Sequence, residues 1–247
     1  RDCMDIKQLM PHTSLVGILD READFFEIFD DQRRKSSRVD LLIRAQHNRK
    51  TMGEHKLFEE VMQSPIQSRI TIKIPRQSAR VKKKNQKARS KRAARIAEVT
   101  VRYKRAELKP PPYFQEMAPI SLWIIHVKEE KPPAGTKAVE WFLLTTIDIK
   151  SLNDALNCIA WYCLRWRIED WHRVLKSGCG VEALAHKTAG RLKRAIAINL
   201  VIAWRIMLMT LLGREMPELP PEVLFSDIEI KVLQAYAKKK ALTFPVL

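Results

Sequence analysis

Glycine is scarce in this chain, seven residues in 247 against thirteen prolines, which excludes a flexible low-complexity linker protein and predicts defined turns. Cysteine is sparse as well. Cys3, Cys158, Cys163 and Cys179 show no C-x-x-C spacing and no pairing with the six scattered histidines, so the pattern excludes a zinc module. Four small reduced side chains in a reducing cytoplasm are expected instead. No hydrophobic leader pattern opens the sequence. The most apolar run, Ala195 to Leu212, is broken by Asn199 and Arg205, so it reads as a buried helix and not as a membrane span. The opening at Arg1, shortly before a strand, reads as that of a fragment.

Acids are the minority charge. Twenty-eight Asp and Glu face 45 Lys and Arg, a formal net charge of +17, and the pI is near 9.9. A polyanion is the expected partner. Nucleic acid is favoured over a membrane surface, because the positive charge is spread along the chain and no basic amphipathic anchor stands out. Between Arg76 and Arg95 lie ten cations and no acid, with Lys82, Lys83 and Lys84 at the centre. Such a run is either a self-repelling loop or a contact that tracks a DNA backbone.

The hydrophobic pattern predicts the elements. Ser14 to Leu19 is a short apolar run ending at Asp20, as in a strand buried on both faces. Phe25, Phe26, Ile28 and Phe29 follow with helical spacing, and Val39 to Ile43 reads as a second strand closing at Arg44. Strand, helix, strand is an α/β unit, and an acid at the C-terminal edge of its first strand lies where such sheets place ligands. The segments 69–74, 95–103 and 120–127 are rich in β-branched residues and read as antiparallel strands, with turns at 109–112 and 131–135. Trp141 to Thr146 is a further buried strand. Ser151 with Asp154 three residues on opens a helix expected to run through Lys176 and to stop at Gly178 and Gly180. Two more helices are expected, about 188–212 and after the break at 217–221.

Within that first long helix one spacing stands out: Tyr162, Arg165, Glu169 and Lys176, or Y-x(2)-R-x(3)-E-x(6)-K. On one straight helix these residues fall at roughly 0°, −60°, −20° and −40°, a polar stripe about 60° wide. Leu164, Ile168, Trp171 and Leu175 fall on the opposite face and are expected in the core. Two cations and a phenol around one carboxylate suit a phosphodiester, the cations on phosphate oxygens and the carboxylate on a metal ion. The same pattern also describes an ordinary solvated face with an i,i+4 ion pair.

Asp20-Arg21-Glu22-Ala23-Asp24 after a buried strand, and this helix about 150 residues later, resemble the DREAD box and Tyr-Arg-Glu-Lys signature of the DDE transposases of bacterial insertion sequences. The resemblance covers the chain from about Leu15 to Gly213 and implies an α/β, RNase H-like fold. It implies core parts over 1–50 and 140–214, a β-rich insertion with the basic loop over 51–139, and a helical C-terminal tail over 215–247. In intact relatives the implied activity is metal-dependent cleavage and strand transfer at transposon ends, with two Mg²⁺ or Mn²⁺ ions. Double-stranded DNA is the implied partner, a synaptic homodimer the assembly, and the nucleoid of the bacterial cytoplasm the location.

Residue by residue, the resemblance makes Asp20 and Glu169 metal-binding catalytic acids. It makes Tyr162, Arg165 and Lys176 phosphate holders, Arg44 a DNA-hairpin ligand and Trp141 a platform for a flipped base. For single residues the plain alternatives are a helix N-cap at Asp20, a core ring at Trp141 and a surface cation at Arg44. Asp24 and Glu22 are expected as dipole partners and salt-bridge formers, and His172 as solvated. The chain departs from the family upstream: only Asp2 and Asp5 precede Asp20, in a segment without a strand pattern, so the family's first catalytic aspartate is expected to be absent and the fragment inactive alone. An inactive remnant that only binds DNA, and a basic non-enzymatic nucleic-acid-binding protein, are the competing readings.

Overall fold

The computed structural model describes residues 6–7, 9–34, 39–74, 93–114 and 116–240. The chain divides into two compact units, Arg1–Arg165 and Trp166–Leu247. The first unit is a mixed α/β body. Its strands are β1 (Leu15–Leu19), β2 (Val39–Arg44), β3 (Ser68–Ile74), β4 (Arg95–Leu108), β5 (Ile120–Glu129) and β6 (Glu140–Thr145). They form one sheet in the order β1-β2-β6-β5-β4-β3. β1 and β2 are parallel, Leu15 opposite Val39 through Leu19 opposite Ile43, and every other neighbouring pair is antiparallel. The α/β unit and the antiparallel segment read separately from sequence are thus one continuous sheet, because β6 returns from the hairpins to pair with β2.

Alternation along the strands explains why both faces are covered. Leu42 and Leu143 point into one core, and Leu41, Ile43 and Leu144 into the other, as a period of two requires. The first core is closed by helix α3 (Leu152–Leu164) and the second by α1 (Phe26–Arg34) and α2 (Leu57–Met62). α3 buries Ala155, Cys158, Ile159 and Tyr162, the i, i+3, i+4, i+7 face of an amphipathic helix. Its start is a full capping box. The Asp154 amide donates to Ser151 Oγ at 3.3 Å, and the Ser151 amide donates to Asp154 Oδ2 at 2.9 Å.

The helix expected to continue through Lys176 does not continue. α3 stops at Leu164, where the Arg165 amide bonds three residues back to the Tyr162 carbonyl at 3.1 Å. α4 (Arg167–Arg173) and a π-helical turn (Val174–Gly178) follow in the second unit. A tightened turn and then a widened one change the angular step from that of one straight α-helix. The expected faces change with it: Tyr162 is buried, whereas Leu164 and Ile168 are 46% and 47% exposed.

The second unit carries α5 (Ala189–Glu215), capped by Thr188, and α6 (Asp227–Lys239), opened by a Ser226–Glu229 capping box. α5 is the apolar run expected to be buried. It is instead largely exposed, with Ile198 and Val201 at 62% and 65% and Ala203 its one buried residue among those described. It is also long and apolar enough to cross a membrane by length and composition. Polar contacts tie the unit together: Arg167 to Glu215 at 2.9 Å, Arg205 to Glu229 at 2.8 Å, and the Trp171 indole N–H to the Leu200 carbonyl at 3.4 Å.

Candidate functional site

At the C-terminal ends of the parallel pair, Asp20 follows β1 and Arg44 closes β2. Asp20 is extended and caps the 3-10 turn Arg21–Ala23, its Oδ1 accepting the Arg21 amide at 2.8 Å. Its other oxygen lies 3.4 Å from Nη2 of Arg165, at the end of α3. Two motifs far apart in sequence therefore meet within the first unit. Asp20 is a cap, as the plain alternative had it, and also an ion-pair partner.

Beside this pair the Tyr162 ring is buried, and its hydroxyl sits next to the Arg44 guanidinium. Burial pushes the phenol above its ordinary range, as does the Asp20 charge, while Arg44 and Arg165 oppose the rise. Arg44 is displaced downward by its own burial, with Tyr162 and Asp20 opposing and Arg21 adding to the shift. Its Nη2 donates to the Glu140 carbonyl at 3.2 Å, and its Nε is buried without a hydrogen bond. Arg21, Arg44 and Arg165 thus outnumber the one carboxylate, and the excess positive charge suits an incoming anion. Sequence reasoning missed Arg21 as a member of this cluster, although its place next to Asp20 was the available signal.

Trp141 is the second residue of β6, which starts one position before the expected strand, and its ring is buried and meets Tyr162 edge-on, with centroids 5.2 Å apart. In this conformation the indole is part of the core; stacking on a base requires it to leave that packing. Glu169 and Lys176 belong to the second unit. Glu169 is exposed in the first turn of α4, and Lys176 is exposed and paired with Glu182 at 2.9 Å. Lys82, Lys83 and Lys84 lie outside the described residues. Arg95, last of the ten cations, is drawn into a bidentate pair with buried Glu129, its Nη2 at 2.7 Å from Oε2, and so serves the sheet.

Asp24 has a larger role than a dipole partner. It is 4% exposed and accepts the amides of Gln46 and His47 at 2.6 and 2.9 Å and the Arg49 guanidinium at 2.6 Å. It anchors the loop after Arg44 to the turn after Asp20. Burial pushes the Cys158 thiol up to about 11 and the Cys163 thiol in the same direction, which holds these two in the thiol form.

No family model matches the chain.

The resemblance to the transposases implies a two-ion site. Such a site needs converging carboxylates. The first unit offers one acid at this cluster, already engaged by an amide and a guanidinium, and among the described residues no three His, Cys, Asp or Glu side chains gather. This cluster by itself supplies one carboxylate toward such a site, and no step is routed through a metal ion. What the cluster can do is bind and orient a phosphate.

Proposed function

We propose that this chain is the DNA-handling catalytic region of a DDE transposase, built on an RNase H-like core. The observation that carries this reading is the Asp20–Arg165 contact, which joins the DREAD-like box to the signature arginine at the end of a parallel strand pair. Arg44 and Arg165 hold phosphodiester oxygens, Arg21 adds charge, and Tyr162 with Trp141 backs the guanidinium groups from the core. The family resemblance makes Glu169 a catalytic carboxylate and Lys176 a phosphate ligand, each within the second unit. The Asp20 cluster supplies the binding of the phosphodiester backbone in this reading. A binding-only role in every context is favoured by the engagement of Asp20 with Arg21 and Arg165.

Binding to duplex DNA is measured by fluorescence anisotropy across a salt series. Steep salt dependence is expected, since each neutralised phosphate contributes about 0.9 to the slope of log affinity against log salt. Arg44→Ala with Arg165→Ala should weaken binding at least about tenfold, the loss expected for charge-assisted contacts. Neutralising Lys82, Lys83 and Lys84 together should flatten the slope. Salt-independent binding, or binding indifferent to Arg44 and Arg165, sinks the interface. Catalysis is tested in a chimera with an upstream aspartate-bearing strand from a DDE transposase. There Glu169→Ala should abolish metal-dependent cleavage and keep DNA binding; equal cleavage by both proteins overturns the enzymatic reading.

A further inference from the structure

The first unit holds a cleft of about 650 Å³ that the Asp20 cluster does not use, lined by Phe26, Arg49, Lys50, Lys109 and the prolines at 110–112. We propose that this cleft binds a nucleotide, its phosphate on Lys50 and Lys109 and its base against the proline run and the edge of Phe26.

Backbone pairing forces the cations together. The Lys109 amide donates to the Lys50 carbonyl at 3.0 Å, and Lys50 also bridges Lys56 across an antiparallel pair. Like charges on directly adjacent strands repel, so this arrangement costs stability until an anion relieves it. Lys56 has Glu59 as an electrostatic neighbour. Lys50 and Lys109 are exposed, and among the described residues neither has an acid within ion-pair distance. At the inner wall Arg49 is held in place by Asp24 at 2.6 Å, while its Nε is buried without a hydrogen-bond partner.

The rest of the lining is apolar and stiff. Three consecutive prolines fix the backbone and present ring faces, and Phe26 is 1% exposed beneath them. The volume lies within the range of pockets that take drug-sized ligands. Inorganic phosphate alone leaves the apolar wall uncovered, and an uncharged ring leaves the lysines unanswered. A phosphate joined to a planar base satisfies both. The unit can be a free mononucleotide or one residue of a single strand. The inference stands apart from the reading of the Asp20 cluster, since no residue of that cluster lines the cleft.

Isothermal titration with the chain uses AMP, a short single-stranded oligonucleotide, adenosine, ribose 5-phosphate and inorganic phosphate. AMP or the oligonucleotide should bind at least about tenfold tighter than the three partial ligands, and which of the two binds identifies the source. Lys50→Ala with Lys109→Ala should weaken that binding by at least about tenfold, the loss expected for charge-assisted contacts. Both lysines are on the surface, so the fold should survive, which circular dichroism checks. Lys50→Arg with Lys109→Arg should keep most of the affinity. Binding untouched by the alanine pair, or phosphate and ribose 5-phosphate matching AMP, overturns the proposal.

Discussion

The two compact units are stabilised by different means. In the first, a sheet covered on both faces buries Leu42, Ile43, Ile124, Leu143 and Leu144 completely. In the second, the buried residues among those described are Leu175, Ala203 and Ala237, and α5 leaves Ile198, Val201 and Trp204 more than half exposed. Caps and surface ion pairs are the main ties of the second unit's helices, whereas the first adds extensive apolar packing to its own capping box and ion pairs. Surface ion pairs contribute little, so the second unit should be the first to open. The arginine cluster and the lysine-lined cleft both stand on the first unit, where packed neighbours surround the side chains.

The sharpest way to break this contrast is to attack the buried polar anchor of the first unit. Asp24→Ala leaves two amides without their acceptor and the Arg49 guanidinium with only the backbone carbonyl of residue 24, and should cost about 3–5 kcal/mol, read from the denaturant midpoint. A shift under about 1 kcal/mol would mean that the loop after Arg44 is held by other contacts. Leu143→Ala should cost about 2–5 kcal/mol, because it opens a cavity in a packed core.

Acid should act on the first unit through His126. The ring is 1% exposed, stacked on Phe142 with centroids 4.4 Å apart, and its Nε2 lies 3.1 Å from Glu140. Burial lowers its pKa from the ordinary 6.5, against the opposing pull of Glu140. The unfolded chain therefore takes up the proton first, and this group's contribution is complete above pH 6.5 and is lost as pH falls through the lower, folded value. His126→Phe should flatten the pH dependence of the unfolding midpoint in that acid range; an unchanged profile would assign acid sensitivity to the carboxylates.

The smallest effect is expected on α5, where Ile198→Ala should fall within about 0.5 kcal/mol in the same measurement, as for other exposed positions. A loss comparable to that of Leu143→Ala would show that the exposed face of α5 is covered in solution.

Local pattern was enough to read strands at 14–19, 39–43 and 141–146, each within one residue of the strand formed, the cap at Ser151 and the starts of the long helices, because periodicity and capping act over a few residues. The acid at the end of β1 and the arginine at the end of β2 were legible for the same reason. The spacing 155, 158, 159, 162 also carried the buried face of α3, but the polar stripe was given precedence over it, and Tyr162 went to the core. Tertiary structure alone decided the rest. That Arg165 meets Asp20, that Asp24 anchors the loop through Arg49, that Arg95 is spent on Glu129, and that Lys50 lies beside Lys109 all depend on strand register and helix docking between residues distant in sequence. Such pairings leave no local periodicity, since each residue's own neighbours are equally compatible with a solvated surface.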